Sequence, residues 1–189
     1  TLYDFLANRA ATFFQNSEAD VNRPANQFHV NDDVYLKPAT EFLNAKLPAV
    51  EDSLDLKYNA VKIYRDLQNF HKDDQQPEAM IDLELNRIKF IYSISNNENK
   101  DSLYLQTLRA IANKYSSNKM AAEVFYYIAN YYRGKMQSYD PLKGDDYKWM
   151  GKKAIAVCKW TTEHYKGSYG ASYCEGMAKE LEDNSIDFK

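Results

Sequence analysis

Apolar residues recur three and four positions apart along most of this chain, the period of an α-helix that buries one face. The pattern is strongest between Asp101 and Asp183, where it predicts helix, turn, helix, insert, helix, turn, helix. Tyr104, Leu105, Leu108, Ile111, Ala112 and Tyr115 share one face, with Asp101 and Ser102 as N-cap and Ser116-Ser117-Asn118 as stop. The next helix runs from about Lys119 to Met136 on a ridge of Phe125, Ile128, Ala129 and Tyr132. After an insert at 138–146, Ala154, Cys158, Thr161 and Tyr165 form a third ridge. Ala171, Cys174, Met177, Ala178 and Leu181 form a fourth.

These halves echo each other. A shift of 50 residues lays Leu108 on Cys158, Ile111 on Thr161, Tyr115 on Tyr165, Ala121 on Ala171 and Val124 on Cys174. Phe125, Ile128, Ala129 and Tyr132 have the offsets of a tetratricopeptide A-helix, and the ridge from Ala154 has B-helix spacing. Two ordinary helical hairpins would satisfy the same spacing.

Upstream, Leu2, Phe5, Leu6, Ala10, Phe13 and Phe14 make a broad stripe on a helix over 1–16, with Thr1 and Asp4 as a capping box. Residues Ser17 to about Lys37 read as a long polar stretch holding Phe28, Val30, Val34 and Leu36. It is either an ordered arm across the helices or a mobile loop. Pro38 opens a short helix through Lys46, and Pro48 ends it. Asp52 and Ser53 cap a helix to His71 with Leu56, Ala60, Ile63, Tyr64, Leu67 and Phe70 on its face. Pro77 opens another, to Ser95, with Ile81, Leu85, Ile88, Ile91 and Tyr92 inside. The expectation is an all-α chain of about eight helices, packed as antiparallel hairpins in a tetratricopeptide-like right-handed array, and forming a single domain over 1–189.

Composition narrows the function classes. The 189 residues suffice for a real core. A net charge of −3 offers no electrostatic case for nucleic acid or an anionic membrane. No apolar run approaches the ~20 residues of a membrane span. Residue 1 is Thr, without an initiator Met or signal peptide, so a mature product or excised domain is expected.

Chemistry is sparse. His29, His71 and His164 lie far apart, none with metal-ligand spacing, so no metal or cofactor is expected. His71 with Asp73 and Asp74 reads as a helix C-terminus followed by a solvated turn. No Gly-x-Ser-x-Gly elbow or phosphate loop is present, and no catalytic residue is assigned. Glu123, Tyr126, Asn130 and Arg133 lie along one side of the helix from Lys119 and form the candidate protein or ligand contact. Tyr127, Tyr131, Tyr139, Tyr147 and Trp149 form a second aromatic set beside the insert. Cys158 and Cys174 lie eight residues before and eight after Lys166, at equal height in a hairpin. They are either bridged or two buried thiols packed as small hydrophobes.

The segments Thr1-Leu2-Tyr3-Asp4-Phe5-Leu6-Ala7, Phe70-His71-Lys72-Asp73-Asp74, Asp82-Leu83-Glu84-Leu85-Asn86-Arg87-Ile88 and Lys100-Asp101-Ser102-Leu103-Tyr104-Leu105 come in that order. Together they resemble the helical N-terminal segment of the large alpha-2-macroglobulin-like surface proteins of Bacteroidetes. The resemblance implies a fragment of a secreted, periplasmic or cell-surface protein, whose protease-trapping function would lie in other domains. The thioester of such proteins needs Cys-x-Glu-Gln; here Cys174-Glu175 is followed by Gly176-Met177. The resemblance therefore implies a non-catalytic module that contacts neighbouring domains of its parent chain or another protein. It also favours an oxidising compartment for the two cysteines. The alternative is a free-standing peptide- or glycan-binding helical-repeat domain.

Overall fold

The computed structural model describes residues 1–15, 28–47 and 55–186, with the side chains of 184–186 excepted. Among them are eight α-helices and no strand: α1 (Leu2–Phe14), α2 (Ala39–Asn44), α3 (Leu56–His71), α4 (Glu78–Ile94), α5 (Lys100–Lys114), α6 (Ala121–Met136), α7 (Met150–His164) and α8 (Tyr169–Ile186). The chain is all-α, as its hydrophobic period requires. Its contacts gather into two compact units, 1–107 and 108–189, with the division inside α5.

In the first unit α4 is the central element. Met80, Ile81, Leu83, Leu85, Ile88, Phe90 and Ile91 are buried around most of its circumference, and so are Glu84 and Arg87. The periodic reading placed only one face inside. Burial of both charges follows from what they hold. Arg87 donates from Nη1 to the Tyr35 carbonyl and from Nη2 to the Lys37 carbonyl at 2.7 Å, and its guanidinium lies 4.2 Å from the centre of the Phe42 ring. Glu84 accepts the backbone N–H of Ala39 at 2.8 Å. A buried charge is tolerable only when paired or hydrogen-bonded. Here these groups satisfy the backbone of a segment that runs over α4.

That segment is the described part of the long polar stretch; residues 16–27 lie outside the described residues. From Phe28 onward it is an ordered arm. Phe28, Val30, Tyr35 and Leu36 are buried, and Asp33–Leu36 forms a 3-10 turn capped by the Asp32 side chain. Ser95 Oγ donates to the Val30 carbonyl at 2.8 Å, and Asn97 Nδ2 donates to the Asn31 carbonyl at 2.7 Å.

Several boundaries differ from the periodic reading. The cap of α3 is Asp55, whose carboxylate accepts from Tyr58 N at 2.8 Å; Asp52 and Ser53 lie outside the described residues. The buried face of α3 is Ala60, Val61, Tyr64, Leu67, Gln68 and His71, so Phe70 faces outward. Helix α5 begins at Lys100, which places Asp101 and Ser102 inside its first turn. Pro38 is the N-cap of α2, and Pro77 that of α4.

In the second unit the sequence ridges coincide with the core. Leu108, Ile111 and Ala112 of α5, Ile128, Ala129 and Tyr132 of α6, Ala154, Cys158 and Thr161 of α7, and Ala171, Cys174, Met177, Ala178 and Leu181 of α8 are all buried. Arg109 Nη2 donates to Tyr132 Oη, tying α5 to α6, and Tyr165 Oη donates to the Ser116 carbonyl at 2.8 Å. Helix α7 begins at Met150, with Trp149 at its N-cap. Helices α6 and α8 approach each other closely at Gly170. A Cβ on Gly170 would lie 2.3 Å from the Ala122 carbonyl carbon, so only a glycine there lets the two backbones meet.

Candidate interaction surfaces

Among the described residues of the first unit, most of the large exposed apolar side chains lie on helix α1. Its capping box is formed: Asp4 N donates to Thr1 Oγ1, and the Asp4 carboxylate reaches back to Thr1. The helix packs on α3 through Ala7, Ala11, Phe14 and Gln15; Ala11 alone is buried, and Gln15 Nε2 donates to Tyr64 Oη at 2.9 Å. The sequence stripe is therefore split, with Ala10 and Phe14 partly inside and its other members facing out. Leu2, Phe5, Leu6 and Phe13 are 74%, 56%, 57% and 66% exposed. Their offsets of three, four and seven put them on the outer side of α1. Arg9 lies among them, its guanidinium 5.5 Å from the Phe5 ring centre. A shallow recess of about 630 Å³ runs along Asp4, Phe5, Asn8, Arg9, Thr12 and Phe13.

One polar node anchors α1. His71 Nε2 meets Asp4 Oδ1 at 2.8 Å, and its Nδ1 meets Asp74 Oδ2 at 2.7 Å. Burial opposes its charge, but the hydrogen bonds from Asp74 and Asp4 outweigh burial and raise its pKa above the ordinary histidine value. The Thr1 amine, the Thr1 hydroxyl and His71, in that order, hold the Asp4 carboxyl well below the carboxylate range. Sequence reading paired His71 with its neighbours Asp73 and Asp74. Asp4 is 67 residues away, and only the packing of α1 on α3 brings it in.

The four candidate contact residues on α6 do share a side of that helix, but α8 takes up part of it. Tyr126 packs on Tyr173 with ring centres 5.5 Å apart, and Arg133 Nη2 pairs with Glu180 Oε1 at 3.1 Å. Burial raises the Tyr126 pKa. Asn130 is exposed, whereas Glu123 is half-buried. The second aromatic set is divided among separate contacts. Tyr127 lies against Tyr126, Tyr131 against Tyr132, and Trp149 beneath the ammonium groups of Lys148 and Lys152. Phe125 and Tyr165, both on the sequence ridges, form a further cluster with Trp160 and His164, which the periodicity did not single out, and Trp160 stacks on His164 at 4.1 Å.

Cys158 and Cys174 are free, fully buried thiols. Each thiol bears on the titration of the other. Cys174 and burial push Cys158 far above the usual thiol range, and Cys158 draws Cys174 down against burial. The described residues hold no group of three metal-ligating side chains. No described helix is long and apolar enough to cross a membrane.

These features define an all-helical protein with an exposed apolar helix face. Comparison with family models, curated proteins and solved structures finds no match to the chain.

Proposed function

We propose that this chain is a non-catalytic protein-interaction module, the helical N-terminal part of a larger alpha-2-macroglobulin-like protein that is secreted, periplasmic or held at the cell surface. Its partner is a neighbouring domain of the same parent chain. The observation that carries the interaction reading is the outer face of α1, where four large apolar side chains lie more than half exposed. Exposed apolar sets of this kind mark contact surfaces. The family reading rests on the ordered sequence segments that resemble the alpha-2-macroglobulin-like proteins. The tetratricopeptide-like array is likewise part of this proposal, supported by the 50-residue echo and by the close approach of α6 and α8 at Gly170.

The test is a binding measurement between this chain and purified downstream segments of its parent protein. Binding is expected for one segment, and Phe5→Asp with Leu6→Glu should abolish it while the far-ultraviolet circular dichroism stays unchanged. If no segment binds, or if the double variant binds like the wild type, the proposal fails. The peptide- or glycan-binding alternative has weaker support, because α8 already engages Tyr126 and Arg133.

A further inference from the structure

The hairpin of α7 and α8 brings its two cysteines together inside the second unit. The connecting turn is short: Ser168 N donates to the Tyr165 carbonyl at 3.1 Å, and Gly167 takes a φ of +77°, in the left-handed region a glycine reaches without strain. A turn placed there sets Cys158 on α7 and Cys174 on α8 at the same level. A neighbouring rung confirms the register. Thr162 Oγ1, one turn nearer the loop, lies 3.4 Å from the Ala171 carbonyl, again linking α7 to α8. Both cysteines are completely removed from solvent.

We propose that Cys158 and Cys174 are a disulfide-forming site, closed during folding by a disulfide oxidant, so that a covalent bond staples α7 to α8. With glutathione disulfide as oxidant, one protein thiolate attacks a glutathione sulfur. A mixed disulfide forms and one glutathione thiol leaves. The second protein thiolate then attacks the protein sulfur of that mixed disulfide. The Cys158–Cys174 bond forms, the second glutathione leaves as a thiol, and the two protons of the protein thiols end on the two glutathiones. The protein loses two electrons, and the oxidant gains them. Because neither sulfur meets solvent in the folded hairpin, the exchange belongs to the stage at which the hairpin is still open. The site stands independently of the proposed function.

The experiment uses the wild-type chain. Reduced, urea-unfolded protein is refolded into a buffer of glutathione disulfide and glutathione, and in parallel into dithiothreitol. Each sample is then unfolded and treated with iodoacetamide. The oxidised sample should take up no alkyl group, weigh about 2 Da less than the reduced chain, and yield a peptide joining Cys158 to Cys174. Its melting temperature should exceed that of the reduced sample by about 5–10 °C. Two alkylated cysteines, glutathione adducts or cross-linked dimers from the oxidising buffer would overturn the proposal. So would a bridge that lowers the melting temperature.

Discussion

Gly170 and Gly176 lie on the same helix, α8, and replacing each with alanine should have opposite effects. A Cβ at Gly170 would stand 2.3 Å from both the carbonyl carbon of Ala122 and the amide nitrogen of Glu123, and 2.6 Å from the Ala122 oxygen. These are backbone atoms that cannot rotate away. Reaching ordinary contact distance requires the first turn of α8 to retreat from α6 by about 1 Å, and forced overpacking of this kind costs about 1–3 kcal/mol. Alanine recovers at most about 1 kcal/mol of helix propensity, and less so near a helix end. At Gly176 a Cβ meets nothing within 4 Å, so only the propensity gain of about 0.5–1 kcal/mol remains. The assay is urea unfolding followed by tryptophan fluorescence. The chain has two tryptophans, Trp149 and Trp160, both within 108–189, so the signal reports on the unit being perturbed. With a slope of about 2 kcal/mol per molar, Gly170→Ala should lower the midpoint by about 0.5–1 M, and Gly176→Ala should raise it by a few tenths. A Gly170→Ala midpoint at or above that of the wild type would refute the reasoning, since no close approach of α6 and α8 would then be sensed.

Other outcomes follow from the first unit, read by far-ultraviolet circular dichroism. Arg87→Ala leaves the carbonyls of Tyr35 and Lys37 without their donors and should cost about 3–5 kcal/mol; a loss under about 1 kcal/mol would mean the arm is held otherwise. Gln68 is fully buried, and neither its Oε1 nor its Nε2 has a hydrogen-bond partner among the described residues, so Gln68→Met should stabilise by about 1 kcal/mol. The raised pKa of His71 means its pairing with Asp4 and Asp74 stabilises fully below 6.5, the ordinary histidine value, and is lost as pH rises through the folded value. Stability of the wild type should therefore decline across that rise, and His71→Gln should flatten the decline; an identical pH profile in the variant counts against the node.

The regular part of this fold was legible in the sequence because helical burial leaves a period that each segment carries by itself. In α7 and α8 the ridges through Cys158 and Cys174 are the buried ridges. Local capping was legible at Thr1 and Asp4 for the same reason, since the groups involved are three residues apart. Tertiary structure decided what depends on partners distant in the chain. The apolar stripe of α1 predicts a buried face, yet α3 takes the side bearing Ala7, Ala11 and Phe14, and Leu2, Phe5, Leu6 and Phe13 stay outside. Periodicity reports that a face is apolar, not whether a neighbour reaches it. Glu84 and Arg87 are buried because an arm some 50 residues upstream lays its backbone groups on them, and Asp4 reaches His71 only across the contact of α1 with α3. On α6, Tyr126 and Arg133 have the spacing of an open contact face, but the absent side chain of Gly170 lets α8 approach α6, and α8 then engages both residues.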